Sequence, residues 1–248
     1  MILLKSLQEI AKMEVANRIV AEILEGVKEK VQPGIETREL DELAEELCRK
    51  HKVQPAFKGY RGYPRSICVS VNEEVVHGIP GPRRLKAGDV VSLDFGVKYE
   101  GFYGDAAITV GVGDVGEKAR ALIAATEESL YAGINQVKAG KRLSDISHAV
   151  QTVVEGAGFG VIREFVGHGI GRSLHEDPQI ANFGPPDRGP TMQVGMTFAI
   201  EPMTSMGSWQ VRILQDGWTA ITQDGSCAAH FEHSVALTEN GVLILSRL

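Results

Sequence analysis

From residue 5 to residue 30, apolar side chains return every three or four positions. Leu7, Ile10, Met13, Ala16 and Val20 share one face, which predicts an amphipathic helix. Val31-Gln32-Pro33-Gly34 then reads as a turn, because proline and glycine both interrupt a helical backbone. A second helix starts at about Thr37, with Leu40, Ala44 and Leu47 spaced i, i+4, i+7. The same order returns further along. A helix over about 117–136 and a turn at Val137-Lys138-Ala139-Gly140 lead to another helix from near Ser144. Its Ile146, Val150 and Val153 match Leu40, Ala44 and Leu47 at a constant offset of 106.

The repeat extends into β-rich segments. Gly88-Asp89-Val90-Val91-Ser92-Leu93-Asp94 aligns without gaps on Gly195-Met196-Thr197-Phe198-Ala199-Ile200-Glu201. Each run starts after a glycine and ends in a carboxylate. Each is expected to lead through a hairpin into a further strand bearing an acid, Asp105 to Val110 and Glu232 to Thr238. His77-Gly78-Ile79 has a sequence partner in His168-Gly169-Ile170. Helix, helix and strands, given twice, predict an α+β fold with pseudo-two-fold symmetry. The expected unit is one catalytic domain over 1–248, with halves of about 1–116 and 117–248. Related halves packed face to face would bring equivalent strand ends together, and with them Asp94, Asp105, Glu201 and Glu232.

Four converging carboxylates cannot all remain ionised without positive charge between them. Asp94 and Glu201 each close a hydrophobic run, and burying an unpaired charge is costly. No lysine or arginine lies within these motif cores, so metal is the economical answer. His168, in Gly167-His168-Gly169-Ile170-Gly171, adds a nitrogen donor. Oxygen donors with one imidazole suit manganese, iron, cobalt or zinc. Five donors exceed what one tetrahedral ion needs and fit two ions roughly 3.5–4 Å apart.

Composition narrows the field further. The chain has 248 residues, 43% hydrophobic and 23% charged, which is ordinary globular usage. A formal charge of −6, with basic residues spread along the chain, gives no support for nucleic-acid recognition. Cys48, Cys68 and Cys227 form no C-x-x-C pair, which fits a reducing cytoplasm rather than a disulfide framework. The apolar start is too short for a signal peptide, and no stretch is long enough to span a membrane. Gly111-Val112-Gly113-Asp114-Val115-Gly116 matches a dinucleotide-binding glycine pattern. However, no later strand ends in an acid at the required distance, since Glu127 and Glu128 fall inside the next helix.

His77-Gly78-Ile79-Pro80, Asp94-Phe95-Gly96, Gly104-Asp105, Gly167-His168-Gly169-Ile170-Gly171, Ala199-Ile200-Glu201-Pro202 and Phe231-Glu232-His233 together resemble type I methionine aminopeptidases of the bacterial kind. The likeness runs in order along essentially the whole chain. It implies the duplicated "pita-bread" fold. It also implies two divalent transition-metal ions (Co, Mn, Fe or Zn) held by Asp94, Asp105, His168, Glu201 and Glu232. Asp94 would chelate one ion, Asp105 and Glu232 would bridge both, and His168 and Glu201 would complete the other. Glu201 would also shuttle a proton, His175 would hydrogen-bond the scissile carbonyl or the developing tetrahedral oxyanion, and His77 would face the leaving amide or the residue after the methionine. Tyr60, Tyr63, Cys68 and Trp218 match the methionine pocket or its rim, where Phe57 and Leu174 also stand. The sequence departs from the family at Phe57, often cysteine, and at Leu174, often aromatic, which leaves fine specificity open. The implied reaction is removal of the initiator methionine from nascent polypeptide N-termini, with a small second residue preferred. The implied protein is a cytoplasmic monomer in transient contact with the ribosome and not with membranes.

Two other readings carry less. Proline-specific peptidases of the same architecture usually have a large additional N-terminal domain, for which this chain is too short. Members that only bind partners lose metal ligands, whereas all five are in place here. The zinc-binding N-terminal extension of many eukaryotic relatives is also absent from the sequence.

Overall fold

Ser6 sets the first helix. Its hydroxyl accepts the Glu9 N–H and the Glu9 carboxylate accepts the Ser6 N–H at 2.8 Å, a reciprocal cap that satisfies two otherwise orphaned donors. The helix therefore begins at Leu7, two residues later than the periodicity alone suggests. A computed structural model describes residues 1–247. In chain order the first part comprises α1 (Leu7–Lys28), α2 (Thr37–His51), β1 (Gln54–Pro55), β2 (Ile67–Val71), β3 (Glu74–Val76), β4 (Val90–Tyr99) and β5 (Phe102–Gly111). Then follow α3 (Glu117–Ile134), α4 (Ser144–Gly156), β6 (Gly160–Val161), β7 (Gly167–Gly169), β8 (Glu176–Ile180) and β9 (Thr197–Ile200). The chain closes with β10 (Met203–Ser205), β11 (Val211–Ile213), β12 (Ala220–Thr222), β13 (Ala228–His230), β14 (Glu232–Thr238) and β15 (Gly241–Ile244).

A nine-stranded sheet runs β1-β4-β5-β14-β9-β7-β8, with β2 also pairing β4 and β15 also pairing β14. The repeat is visible in its centre. β4 and β9 carry the aligned Gly88–Asp94 and Gly195–Glu201 segments, and they flank the β5–β14 pair symmetrically. Gly88 and Gly195 even share the same left-handed turn, with φ of 92° and 93°. The architecture is thus α+β with a pseudo-two-fold axis between β5 and β14.

Alternation along these strands separates two environments. Val91, Leu93, Phe95, Val97 and Ala106 join α1 and α2 in one hydrophobic core. Phe198, Ile200, Val235 and Leu237 join α3 and α4 in a second. The intervening residues face the opposite side. Helix α1 lies hard against the β4–β5 hairpin at Gly104, where a Cβ would sit 2.8 Å from Asn17 N. In α2 and α4 the buried apolar positions are Leu40, Ala44 and Cys48, and Ile146, Val150 and Val154. Leu47 and Val153 are half-buried at the edge of that stripe.

Three sequence expectations are corrected. Asp94 does not end a strand, since β4 continues to Tyr99. No simple hairpin joins Glu201 to Glu232, because β10 to β13 intervene and build two three-stranded sheets with β6 and β3. His77 is not the structural counterpart of His168. The strand beside β4 is β2, and the position equivalent to His168 is Ser70, whose partner Ser92 corresponds to Ala199 opposite His168. His77 lies past β3 in a turn with φ of 61°.

Candidate metal centre

Strand register alone puts the five candidate ligands on one face. In an antiparallel pair, directly opposed residues point to the same side, as do residues two apart on one strand. Asp94 and Glu232 are both opposite Ala107, from β4 on one flank and β14 on the other. Asp105 lies two residues from Ala107. Ser234, two residues from Glu232, is opposite Ala199, as is His168 on the far side. Glu201 lies two residues beyond Ala199. Asp94, Asp105, Glu232, Glu201 and His168 therefore converge across five adjacent strands.

Side-chain geometry matches this derivation. Ligating atoms of Asp105, His168 and Glu232 lie within 4.8 Å of one another. His168 Nε2 is 3.4 Å from Glu201 Oε1 and 4.0 Å from Asp105 Oδ2. Asp94 Oδ1, Asp105 Oδ1 and Glu232 Oε1 are buried without any hydrogen-bond partner among the described residues. Buried carboxylate oxygens without donors are costly, and here all three acids line one cleft. His168 Nδ1 bonds the Gly169 carbonyl at 2.9 Å, so its proton sits on Nδ1 and the Nε2 lone pair is free toward the acids. The residues present fit a divalent-metal site on these grounds.

Burial pushes the Asp94 carboxyl up to about 7. Burial also raises Asp105 well above the usual carboxylate range, with Asp94 and Glu201 adding repulsion. Glu201 rises through burial and the neighbouring Asp94, and Glu232 through burial and all three other acids. Desolvation lowers His168 to about 4. Four acids held near one another in a desolvated site are the electrostatic signature of a cation cradle.

A cleft with about 650 Å³ of empty space, mouth included, opens over this face. That is the scale of a site for a small ligand or a single side chain with its backbone. Every candidate residue named from the sequence lines it, and Arg61 joins them. Tyr63 donates its hydroxyl to the Gly78 and Ile67 carbonyls, at 2.9 and 3.1 Å, and meets Trp218 edge-on at 5.2 Å. Cys68 and Leu174 are buried in the wall, and Phe57 packs over Gly96. His175 stacks on Tyr60, its Nδ1 2.9 Å from the Tyr60 hydroxyl, and its ring lies 4.2 Å from that of His168. Desolvation, aided by the neighbouring His168, lowers His175 to about 3. The His77 ring sits edge-on to Phe165 and Trp218. Burial lowers its pKa.

Two residues at the site were not read from sequence. Asn17, fully buried on α1, accepts the Asp105 N–H at 3.2 Å, while the Ser234 hydroxyl donates to the Asp105 carbonyl at 2.8 Å. Asn17 is a lone polar residue on the apolar face of α1, which was the available signal. His230, 1% exposed, places Nε2 3.7 Å from Glu201 Oε2. Its position two residues before Glu232 could have flagged it.

Residues 11–239 match the model of metallopeptidase family M24. The chain is 52% identical to methionine aminopeptidase 1 of Bacillus subtilis over 100% of both chains. It is 53% identical to a methionine aminopeptidase of Clostridium perfringens over 99% of each. The crystal structure of methionine aminopeptidase from Thermotoga maritima superposes with a TM-score of 0.98, at 50% identity and 100% coverage of both chains.

Proposed function

We infer the reaction from one premise: the chain belongs to metallopeptidase family M24, with the pita-bread fold. It removes the N-terminal methionine from polypeptide chains as a metallopeptidase dependent on divalent ions. The observation that carries this reading is the single sheet face on which Asp94, Asp105, His168, Glu201 and Glu232 meet, with three carboxylate oxygens left unpartnered.

In the proposed mechanism these five residues hold two ions of cobalt, manganese, iron or zinc, and residues 1–248 act as one catalytic unit. When bound, the ions supply Lewis acidity toward an attacking water and a carbonyl oxygen. The remaining work falls to side chains. Glu201 takes a proton from the attacking water and delivers it to the leaving nitrogen. Tyr60 donates to His175 Nδ1, which leaves the proton of the neutral imidazole on Nε2, the tautomer that donates to the scissile carbonyl oxygen. His168 holds the opposite tautomer, so adjacent rings divide acceptance and donation between them. The methionine side chain enters the cleft between Phe57, Tyr60, Tyr63, Cys68, Leu174 and Trp218, whose aromatic and thiol walls suit a polarizable thioether. His77, wedged between Phe165 and Trp218, crowds the leaving side and favours a small second residue.

The biological substrate proposed is the N-terminus of nascent polypeptides, met by a monomer in the cytoplasm in transient contact with the ribosome and without nucleic-acid sequence recognition. Among the described residues no helix is long and apolar enough to cross a membrane. The test is hydrolysis of Met-Gly-Met-Met beside Leu-Gly-Met-Met and Pro-Gly-Met-Met, with manganese or cobalt and with a chelator. Methionine released alone, and only with metal, is the expected result. Release of other residues would overturn the pocket assignment, and no release with any metal would overturn the reaction.

A further inference from the structure

The two oxygens of Glu201 face two different imidazoles. Oε1 is 3.4 Å from His168 Nε2, on the side of the candidate metal ligands. Oε2 is 3.7 Å from Nε2 of His230, on the opposite side. His230 has no place in the mechanism above, yet its backbone is held from two sides. Its N–H donates to Thr109 Oγ1 at 2.9 Å, and the Thr109 hydroxyl donates back to the His230 carbonyl at 2.6 Å. Ser92 donates its own hydroxyl to Thr109 at 2.8 Å. β13 pairs β10 with His230 opposite Met203, which fixes the backbone from the other side.

The ring so placed is 1% exposed, and among the described residues neither Nδ1 nor Nε2 has a hydrogen-bond partner. A buried imidazole with two idle nitrogens is destabilising unless a polar group closes on it. Glu201 Oε2, 3.7 Å from Nε2, is a polar group that a small turn of the carboxylate would bring into hydrogen-bond distance. The Glu201 backbone carbonyl accepts from the Asn182 amide at 2.9 Å, which fixes the main chain and leaves the orientation of the carboxylate to the two imidazoles that face it.

We propose that His230 is a positioning residue for Glu201: its Nε2–H holds Oε2 and thereby turns Oε1 into the metal centre. This rests on the reading of Glu201 as a ligand. The ring performs for a carboxylate ligand what the Gly169 carbonyl performs for His168, fixing its orientation from behind. The Ser92–Thr109 hydroxyl pair sets the depth of the ring by clamping its backbone to the same hairpin that carries Asp94 and Asp105.

The experiment compares wild type with His230→Leu and His230→Gln by cobalt titration, followed by absorption spectroscopy, and by steady-state kinetics. The leucine variant is expected to bind cobalt about 10- to 100-fold more weakly, the usual loss when an outer partner of a ligand is removed. Its kcat should fall with little change in KM. Glutamine can donate an N–H from a similar position and should return both quantities to within about threefold of wild type. Unchanged cobalt affinity in a folded leucine variant would overturn the proposal, as would a folded glutamine variant no better than leucine. If leucine does not fold, 15N-histidine NMR of the zinc-loaded wild type decides. A slowly exchanging, hydrogen-bonded Nε2–H on His230 supports the proposal, and an unprotonated Nε2 sinks it. Wild type that binds no cobalt or zinc would instead refute the metal-centre reading beneath it.

Discussion

Cys68 sits directly opposite Asp94 across the antiparallel β2–β4 pair, both on the face that carries the candidate ligands. The wall of the proposed methionine slot and a proposed metal ligand are therefore one rigid cross-strand unit. Added bulk at Cys68 must displace the substrate side chain, because β2 is buried on both faces and cannot retreat. Cys68→Leu is expected to raise KM for methionyl peptides at least about tenfold, in line with the cost of overpacking a closed pocket. Cobalt should still bind. Steady-state kinetics with a parallel metal titration checks this, and an unchanged KM would remove Cys68 from the pocket wall.

Glu201→Gln keeps the shape of the side chain and removes its charge and basicity. General acid–base groups contribute roughly 10²–10⁴-fold, so turnover should fall at least about 100-fold while the protein remains folded. A variant that keeps more than a tenth of wild-type kcat under saturating metal would exclude the proton-transfer role.

Tyr60 and His175 should separate in a graded way. His175→Ala removes a donor aimed at the carbonyl oxygen, for which losses of about 10²–10³-fold in kcat are typical. Tyr60→Phe leaves that ring in place but lets its tautomer drift, so the loss should be smaller than for His175→Ala and should fall on kcat. An equal loss in both variants would mean that the Tyr60 hydroxyl itself meets the reacting carbonyl. No loss in the tyrosine variant would mean that the 2.9 Å bond does not set the tautomer.

Much of this site was legible in the chain because its physics is local. The helices announce themselves through a 3.6-residue period, and the aligned Gly88–Asp94 and Gly195–Glu201 runs mark the duplicated strands. The acids on those strands fall on one face because side chains alternate. What was not legible depends on tertiary placement. β10 to β13 have three residues each, too few for a period of two to declare itself. Asp94 interrupts β4 without ending it, since Phe95 and Val97 keep facing the core that α1 and α2 cover. His77 shares a tripeptide with His168, yet sheet position pairs His168 with Ser70. His230 gains its meaning from Thr109, which is 121 residues away in sequence.

The acids of the site also determine how the metal-free protein responds to pH. Folding raises the pKa of Asp94 to about 7 and lifts Asp105, Glu201 and Glu232 well above their ordinary values, chiefly through burial. Above pH about 4 the unfolded chain has already lost these protons while the folded chain keeps them. The folded state then binds more protons, so stability falls as pH rises through the folded values. Histidines act the other way. His168, His175, His230 and His233 are lowered to between about 3 and about 4 by burial, so they cost stability as pH falls below their unfolded value near 6.5. Above pH 7 those rings are neutral in both states, and the slope belongs to the carboxylates, joined toward pH 9 by the thiols of Cys48, Cys68 and Cys227, which burial also raises. Thermal melts of chelator-treated protein between pH 7 and 9 should therefore show Tm falling with pH. Saturating manganese or cobalt should raise Tm and flatten the slope, because bound cations keep the acids ionised in the folded state and add binding free energy to it. A metal-free protein whose Tm is level or rising across that range would show that the four carboxylates are already compensated without metal.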